Sequence, residues 1–186
     1  MRVISGEFGG RRLQAVPGNK TRPTTDKVKE NLFNILGPYF SGGTVLDLFA
    51  GTGGLGIEAV SRGMDAAVLV DRQGAAIKVI HHNVAVTKVP DRFTIVHATA
   101  SAYLQRAVGT IQFDLVFLDP PYAQQKIVET ITDLAHGGLL TPGAQIVAET
   151  DTKVAYPDVP GFSLRRQVTY GITELAIFQY EGDAAE

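Results

Sequence analysis

The chain has 186 residues, with 45% apolar and 19% charged residues, the balance of one ordinary globular domain. It contains no cysteine, which excludes disulfides and thiolate chemistry and fits a reducing, cytoplasmic setting. No apolar run approaches membrane-spanning length, and the net charge of −2 conceals a surplus of four positive charges in residues 1–40 over an acidic remainder.

The first forty residues read as their own basic unit, and residues 41–182 as a second domain. Arg2–Ser5 and Arg11–Val16 are short β-prone pieces around Gly6 to Gly10, the pattern of a small hairpin. Pro17-Gly18-Asn19 marks a turn. Thr24-Thr25-Asp26 can cap a helix that runs to Leu36, with Val28, Leu32, Ile35 and Leu36 on one face and Gly37-Pro38 as its stop.

From Gly43 strands and helices alternate. Strands are predicted over Thr44–Phe49, Ala67–Val70, Phe93–Val96, Phe113–Leu118 and Ala144–Ala148. The helices between them are Leu55–Ser61, Ala75–Val86, Ala100–Ala107 and Gln124–Ala135. This alternation implies βαβ units and a mostly parallel sheet. Two further strands, Ser163–Thr169 and Glu174–Tyr180, flank Tyr170-Gly171-Ile172 with no room for a helix. They predict an antiparallel hairpin at one sheet edge, making seven strands. Residues 182–186 read as a frayed tail.

Asp47 to Gly56 follows the first strand and opens a helix. Gly51-x-Gly53-x-x-Gly56 matches a dinucleotide fingerprint, and Asp71 lies twenty residues beyond Gly51 at the end of the next strand. Glycines there let the backbone approach a ligand closely, and the carboxylate can accept both ribose hydroxyls. At this point NAD and S-adenosylmethionine fit equally, since both carry an adenosine. Two features favour the methyl donor. Asp47, inside the turn, suits the ammonium of a methionine moiety better than a pyrophosphate, and the sheet closes on a hairpin instead of further βαβ units. Phe49 reads as a core residue that can also line the donor pocket.

Asp119-Pro120-Pro121-Tyr122 follows the Phe113–Leu118 strand, at the carboxyl end where open α/β sheets place their sites. An exocyclic amino group is a poor nucleophile because its lone pair is delocalised into the ring. The Asp119 carboxylate and the Pro120 carbonyl can accept its two hydrogens and direct the lone pair outward. Both prolines fix φ, which preorganises these acceptors. Tyr122 offers a ring on which an extruded base can stack. Arg11, Arg12, Lys20 and Arg22 are candidate phosphate contacts, with Arg165 and Arg166 as additional surface cations. Histidines 81, 82, 97 and 136 show no metal-ligand spacing, so no metal site is expected.

On these residues the chain resembles the bacterial small-subunit ribosomal RNA guanine-N2 methyltransferase (RsmD) family. The specific signature is Gly9-Gly10-Arg11-Arg12 with Thr21-Arg22-Pro23-Thr24-Thr25-Asp26-Lys27-Val28-Lys29-Glu30-Asn31-Leu32-Phe33. Asp47–Glu58, Asp119–Tyr122 and Tyr170-Gly171-x-Thr173 resemble its donor loop, catalytic loop and terminal hairpin. The resemblance implies a class I, Rossmann-like methyltransferase that uses S-adenosyl-L-methionine to methylate a guanine amino group. The expected substrate is small-subunit ribosomal RNA within an assembling or assembled subunit, and the expected state is a cytoplasmic monomer without membrane contact. Where the family has an acidic residue this chain reads Ala98-Thr99-Ala100. Thr99 supplies a neutral acceptor there, and the backbone at Thr99 and Ala100 the remaining contact expected with the adenine amino group.

The nearest rival reading is a DNA adenine or cytosine amino-methyltransferase, which usually carries a larger target-recognition domain than forty residues. A protein glutamine methyltransferase favours asparagine where this chain has Asp119. An NAD-dependent oxidoreductase would need a hydride-transfer site that the sequence lacks.

Overall fold

The computed structural model describes residues 1–18, 25–121, 124–150 and 153–182. They fall into two compact units, Met1–Ala100 and Ser101–Glu186. The seven strands, β1 to β7 in chain order, form one sheet in the order β3-β2-β1-β4-β5-β7-β6. This mostly parallel sheet with a terminal antiparallel hairpin is the class I, Rossmann-like α/β architecture expected from the alternation.

In the first unit the amino-terminal hairpin is reduced to one antiparallel bridge, Arg2 with Arg12. Val3 N–H donates to the Arg11 carbonyl at 2.9 Å, and Gly10 N–H to that of Val3 at 2.8 Å. Val3, Phe8 and Leu13 are buried. Helix α1, Asp26–Leu36, begins where Thr25 Oγ1 accepts the Val28 N–H at 3.3 Å. Thr24, the alternative cap, lies outside the described residues. The helix buries Leu32, Phe33 and Leu36, and with them Lys29.

Strands β1 (Thr44–Asp47), β2 (Ala66–Asp71) and β3 (Phe93–His97) pair in parallel, linked by α2 (Gly54–Ser61) and α3 (Gly74–Thr87). The expected strand to Phe49 stops two residues early. Asp47 is the last residue of β1 in register with β2, opposite Leu69. Leu48 and Phe49 already turn, and the chain returns to β2 where Ala50 N–H donates to the Val70 carbonyl at 2.8 Å. Val45, Leu46, Leu69 and Val70 are fully buried, as central parallel strands covered on both faces must be.

A buried charge cluster fastens the amino-terminal segment to this unit. Glu58 of α2, 0% exposed, pairs with Arg62 one helical turn later at 2.8 Å and with Lys29 of α1 at 3.6 Å. The same carboxylate accepts the N–H groups of Ile4 and Ser5 at 2.9 and 3.1 Å. Arg62 also lies over the Phe33 ring, 4.9 Å from its centroid. Burial lowers the Lys29 pKa, against the opposing pull of Glu58 and Asp26. Gly6 crosses α2 so closely that any Cβ would collide with the Ser61 carbonyl.

The second unit contains β4 (Phe113–Leu118), α5 (Gln124–His136), β5 (Leu140–Thr150), β6 (Phe162–Tyr170) and β7 (Thr173–Tyr180). Helix α4, Ala100–Ala107, precedes them. β4 and β5 run parallel, while β7 pairs antiparallel with both β5 and β6. β5 starts at Leu140, four residues before the expected Ala144. The register shift between Phe113 and Leu115 lets Pro142 and Gly143 stand out of the ladder, with Gly143 at φ +82°. A second shift bulges Arg165 out of β6. Among the described residues no helix is long and apolar enough to cross a membrane.

Candidate active site

The turn between β1 and α2 gathers most of the residues expected to hold a methyl donor. Ala50 N–H is tied to β2, and Gly51 N–H donates to Asp71 Oδ2 at 2.8 Å. Gly53 N–H closes the turn on the Ala50 carbonyl at 2.7 Å, and Thr52 Oγ1 accepts the Gly54 N–H at 3.2 Å.

The three glycines have different reasons to be there. Gly51, at φ +57°, has no atom within 4 Å of where a Cβ would stand, so the space above it is open to a ligand. Gly53 sits at φ +78° as the α2 N-cap, and a Cβ there would press on Leu69 at 3.3 Å. At Gly56 a Cβ would collide with Leu69 Cδ2. Gly51 therefore provides access, whereas Gly53 and Gly56 allow the turn and the close packing of helix on strand.

Asp47 is 3% exposed and accepts the Gly56 N–H at 3.2 Å, where the positive end of α2 favours its charge. Asp71, half-buried at the end of β2, uses Oδ1 to accept Gln73 N–H at 2.8 Å and Oδ2 to hold Gly51. Each carboxylate oxygen has a second lone pair, so Asp71 can hold its own loop and still accept ribose hydroxyls. Phe49 is half-buried in the turn. Thr99 is exposed and Ala100 half-buried just after β3, where Ala98 N–H returns to the Asp71 carbonyl at 3.1 Å. This set fits an adenosine-bearing donor: an open position over Gly51, a carboxylate at the end of β2 beside it and a second carboxylate inside the turn.

In the second unit Asp119, Pro120 and Pro121 leave the carboxyl end of β4. Leu115 to Leu118 are buried, Asp119 and Pro121 are exposed, and Pro120 is buried between them. The anchored proline fixes the loop and leaves the neighbouring carboxylate at the surface. Tyr122 lies outside the described residues.

The proposed phosphate contacts differ among themselves. Arg11 is committed within the fold: its Nη1 donates to the carbonyls of Val86 and Thr87 at 3.1 and 2.6 Å, at the carboxyl end of α3. Its guanidinium also lies 5.3 Å from the Phe8 ring centroid. Arg12 is exposed. Lys20 and Arg22 lie outside the described residues. Asn83 has no part in the sequence reading, although its signal was present. It is a polar residue in the buried stripe of Val79, Ile80, Val84 and Thr87 on α3.

A family model described as conserved hypothetical protein 95 matches residues 1–179. YlbH of Bacillus subtilis (strain 168) is 45% identical over 184 residues, which is 98% of this chain and 100% of the relative. Ribosomal RNA small subunit methyltransferase D of Escherichia coli (strain K12) is 35% identical over 182 residues, 97% of this chain and 90% of that protein. The solved structure of yhhF from Escherichia coli matches with a TM-score of 0.85 at 36% identity, covering 98% of this chain and 99% of that one.

Proposed function

We propose, for a chain that belongs to the conserved hypothetical protein 95 (RsmD) family, that it transfers a methyl group from S-adenosyl-L-methionine to the exocyclic amino group of a guanine in small-subunit ribosomal RNA. The observation that carries this reading is Asp119-Pro120-Pro121 at the carboxyl end of β4, in a chain whose β1–α2 turn suits an adenosine-bearing donor. The donor supplies a methyl group already activated on a sulfonium. What remains for the protein is position and electrostatics.

Asp119 accepts one hydrogen of the amino group and the Pro120 carbonyl the other, so the nitrogen lone pair is held toward the methyl carbon. The new carbon–nitrogen bond takes the methyl, and the carbon–sulfur bond breaks with its electrons left on sulfur. The resulting cationic nitrogen is acidic and gives up its proton afterwards, which removes the need for a strong base. Tyr122 stacks on the extruded base. Asp47, Phe49, Gly51, Gly53, Asp71, Thr99 and Ala100 hold the donor. Arg12, Lys20 and Arg22 contact phosphates of the RNA, joined by whatever donors Arg11 has beyond its helix contacts.

The protein acts in the cytoplasm as a monomer, on RNA held in a small subunit or assembly intermediate. A forty-residue extension is thin for sequence readout, so folded RNA and neighbouring protein help define the target.

The test offers labelled S-adenosylmethionine and four substrates to the protein: subunits lacking the modification, naked ribosomal RNA, a short RNA oligonucleotide and DNA. Label in N2-methylguanosine from ribosomal material, reduced about 100-fold or more in Asp119→Ala, is the expected result. Label in DNA adenine or cytosine would replace the substrate, and undiminished transfer by Asp119→Ala would remove the mechanism. Efficient methylation of the short oligonucleotide would overturn the need for subunit context.

A further inference from the structure

Asn83 is fully buried in the middle of α3, and its side chain bonds to the backbone of two other segments. Its Oδ1 accepts the Gln14 N–H at 2.7 Å, and its Nδ2 donates to the Gln14 carbonyl at 3.0 Å. The same Nδ2 donates to the Thr52 carbonyl at 2.9 Å. One amide thus grips both backbone groups of a residue in the amino-terminal extension and one carbonyl in the β1–α2 turn. Backbone groups withdrawn from water need such partners, and an apolar side chain filling the same space would remove all three bonds from these partly buried groups.

Other contacts run between the same segments. Thr52 Oγ1 donates to Met1 Sδ at 3.7 Å, so the extension reaches the turn a second time. Val16 packs on Ala76 and Val79 of α3, and Arg11 caps the carboxyl end of that helix. The bond to Thr52 lies between Gly51, which leaves space for a ligand, and Gly53, which sets the turn.

We infer that Asn83 is a positioning residue of the methyl-donor site, holding the Thr52 carbonyl and making the turn's geometry depend on the amino-terminal extension through Gln14. The inference rests on the reading of that turn as the donor site. It gives the extension a role apart from RNA contact, since it braces the donor turn from behind.

The experiment uses the full chain. S-adenosylhomocysteine affinity is measured by calorimetry, and kcat and KM for the donor are measured on unmodified small subunits. Asn83→Ala removes the whole link. Asn83→Asp keeps its shape but turns an acceptor toward the two carbonyls. Gln14→Pro removes the N–H that binds Oδ1, while fixing φ at residue 14 and restricting Leu13; the Gln14 side chain itself is exposed.

Both Asn83 variants should raise the S-adenosylhomocysteine Kd and the donor KM about ten-fold, with kcat at saturating donor within about two-fold of wild type. Gln14→Pro should raise the Kd several-fold although it does not touch the turn. An Asn83→Ala protein that melts lower but binds S-adenosylhomocysteine as wild type does would overturn the positioning role. Unchanged affinity in Gln14→Pro beside weakened Asn83→Ala would overturn the link to the extension. A wild-type protein that binds no S-adenosylhomocysteine would instead remove the donor reading itself, and this inference with it.

Discussion

Replacing Glu58 with glutamine keeps the side-chain shape and removes the charge on which the amino-terminal segment is hung. The carboxylate meets Arg62, Lys29 and the N–H groups of Ile4 and Ser5 at 2.8 to 3.6 Å, with no solvent exposure. Glutamine offers one acceptor oxygen and turns an NH2 group toward donors. Removing one member of a buried ion pair costs about 3–5 kcal/mol, and each orphaned donor adds about 1–3 kcal/mol. Lys29 limits the sum by shedding its proton, because burial already lowers its pKa and Glu58 is the foremost influence holding it up.

The expected loss is therefore about 4 kcal/mol at neutral pH, a large share of the roughly 5–15 kcal/mol typical of a domain. Urea unfolding of the full chain measures it. The sign of the pH dependence follows from proton counts. Between the lowered folded-state pKa of Lys29 and its ordinary 10.5, the unfolded chain binds the proton that the folded chain has lost. Stability therefore rises with pH in that window, and the Glu58→Gln defect should shrink as pH is raised from neutrality toward 10.5. Adding Lys29→Met should recover part of the loss at neutral pH. A loss under about 1 kcal/mol, well below the buried-pair range, or one indifferent to residue 29, would refute the reasoning.

Gly51→Ala should weaken S-adenosylhomocysteine binding while costing only about 1 kcal/mol of stability for its positive φ. Gly56→Ala should cost about 1–3 kcal/mol in urea unfolding by driving Leu69 aside. Tyr156 has a buried hydroxyl without a partner among the described residues, and its pKa is pushed up to about 12 by burial and then by Glu174. The folded protein keeps that proton where the unfolded chain has lost it, so stability falls as pH rises through about 10 toward 12. Tyr156→Phe should flatten that fall in pH-dependent unfolding and leave neutral-pH stability equal or slightly higher. Arg11→Ala should lower the melting temperature through lost contacts to α3. Arg12→Ala should leave it unchanged while reducing the salt dependence of RNA binding by about one unit of slope.

The strands and helices were legible where one local signal sufficed. β4 and α4 match the predicted bounds, because a continuous apolar run and a clean helical stretch need no distant partner to define them. β5 was read short because Pro142-Gly143 normally ends a strand, and only a bulged register accommodates it. Within the site, the spacing of Gly51, Gly53 and Asp71 points to one locality, and the Gly51 N–H bond to Asp71 Oδ2 joins the turn to the end of β2. Buried charge was illegible. Lys29 and Glu58 are twenty-nine positions apart, so Lys29 counted toward a basic surface when it in fact lies 2% exposed beside Glu58. For Arg11, nothing in the local sequence indicates that its guanidinium also caps a helix 75 residues away. Side chains that bridge distant segments are the ones a linear reading misses.

The bulge at Arg165 has a bearing on colloidal behaviour. β6 ends the sheet order, so among the described residues one of its sides has no strand beside it, and Leu164 to Gln167 are exposed. A regular edge of that length is a template on which another chain can add as a further strand. The register break interrupts the row of N–H and C=O groups, and the Arg165 guanidinium turns to Gln179 and Glu181, at 3.0 and 4.0 Å. Deleting Arg165 would restore an even ladder. The altered protein should then associate with rising concentration through this edge, while the internal pairing of β6 with β7 stays intact.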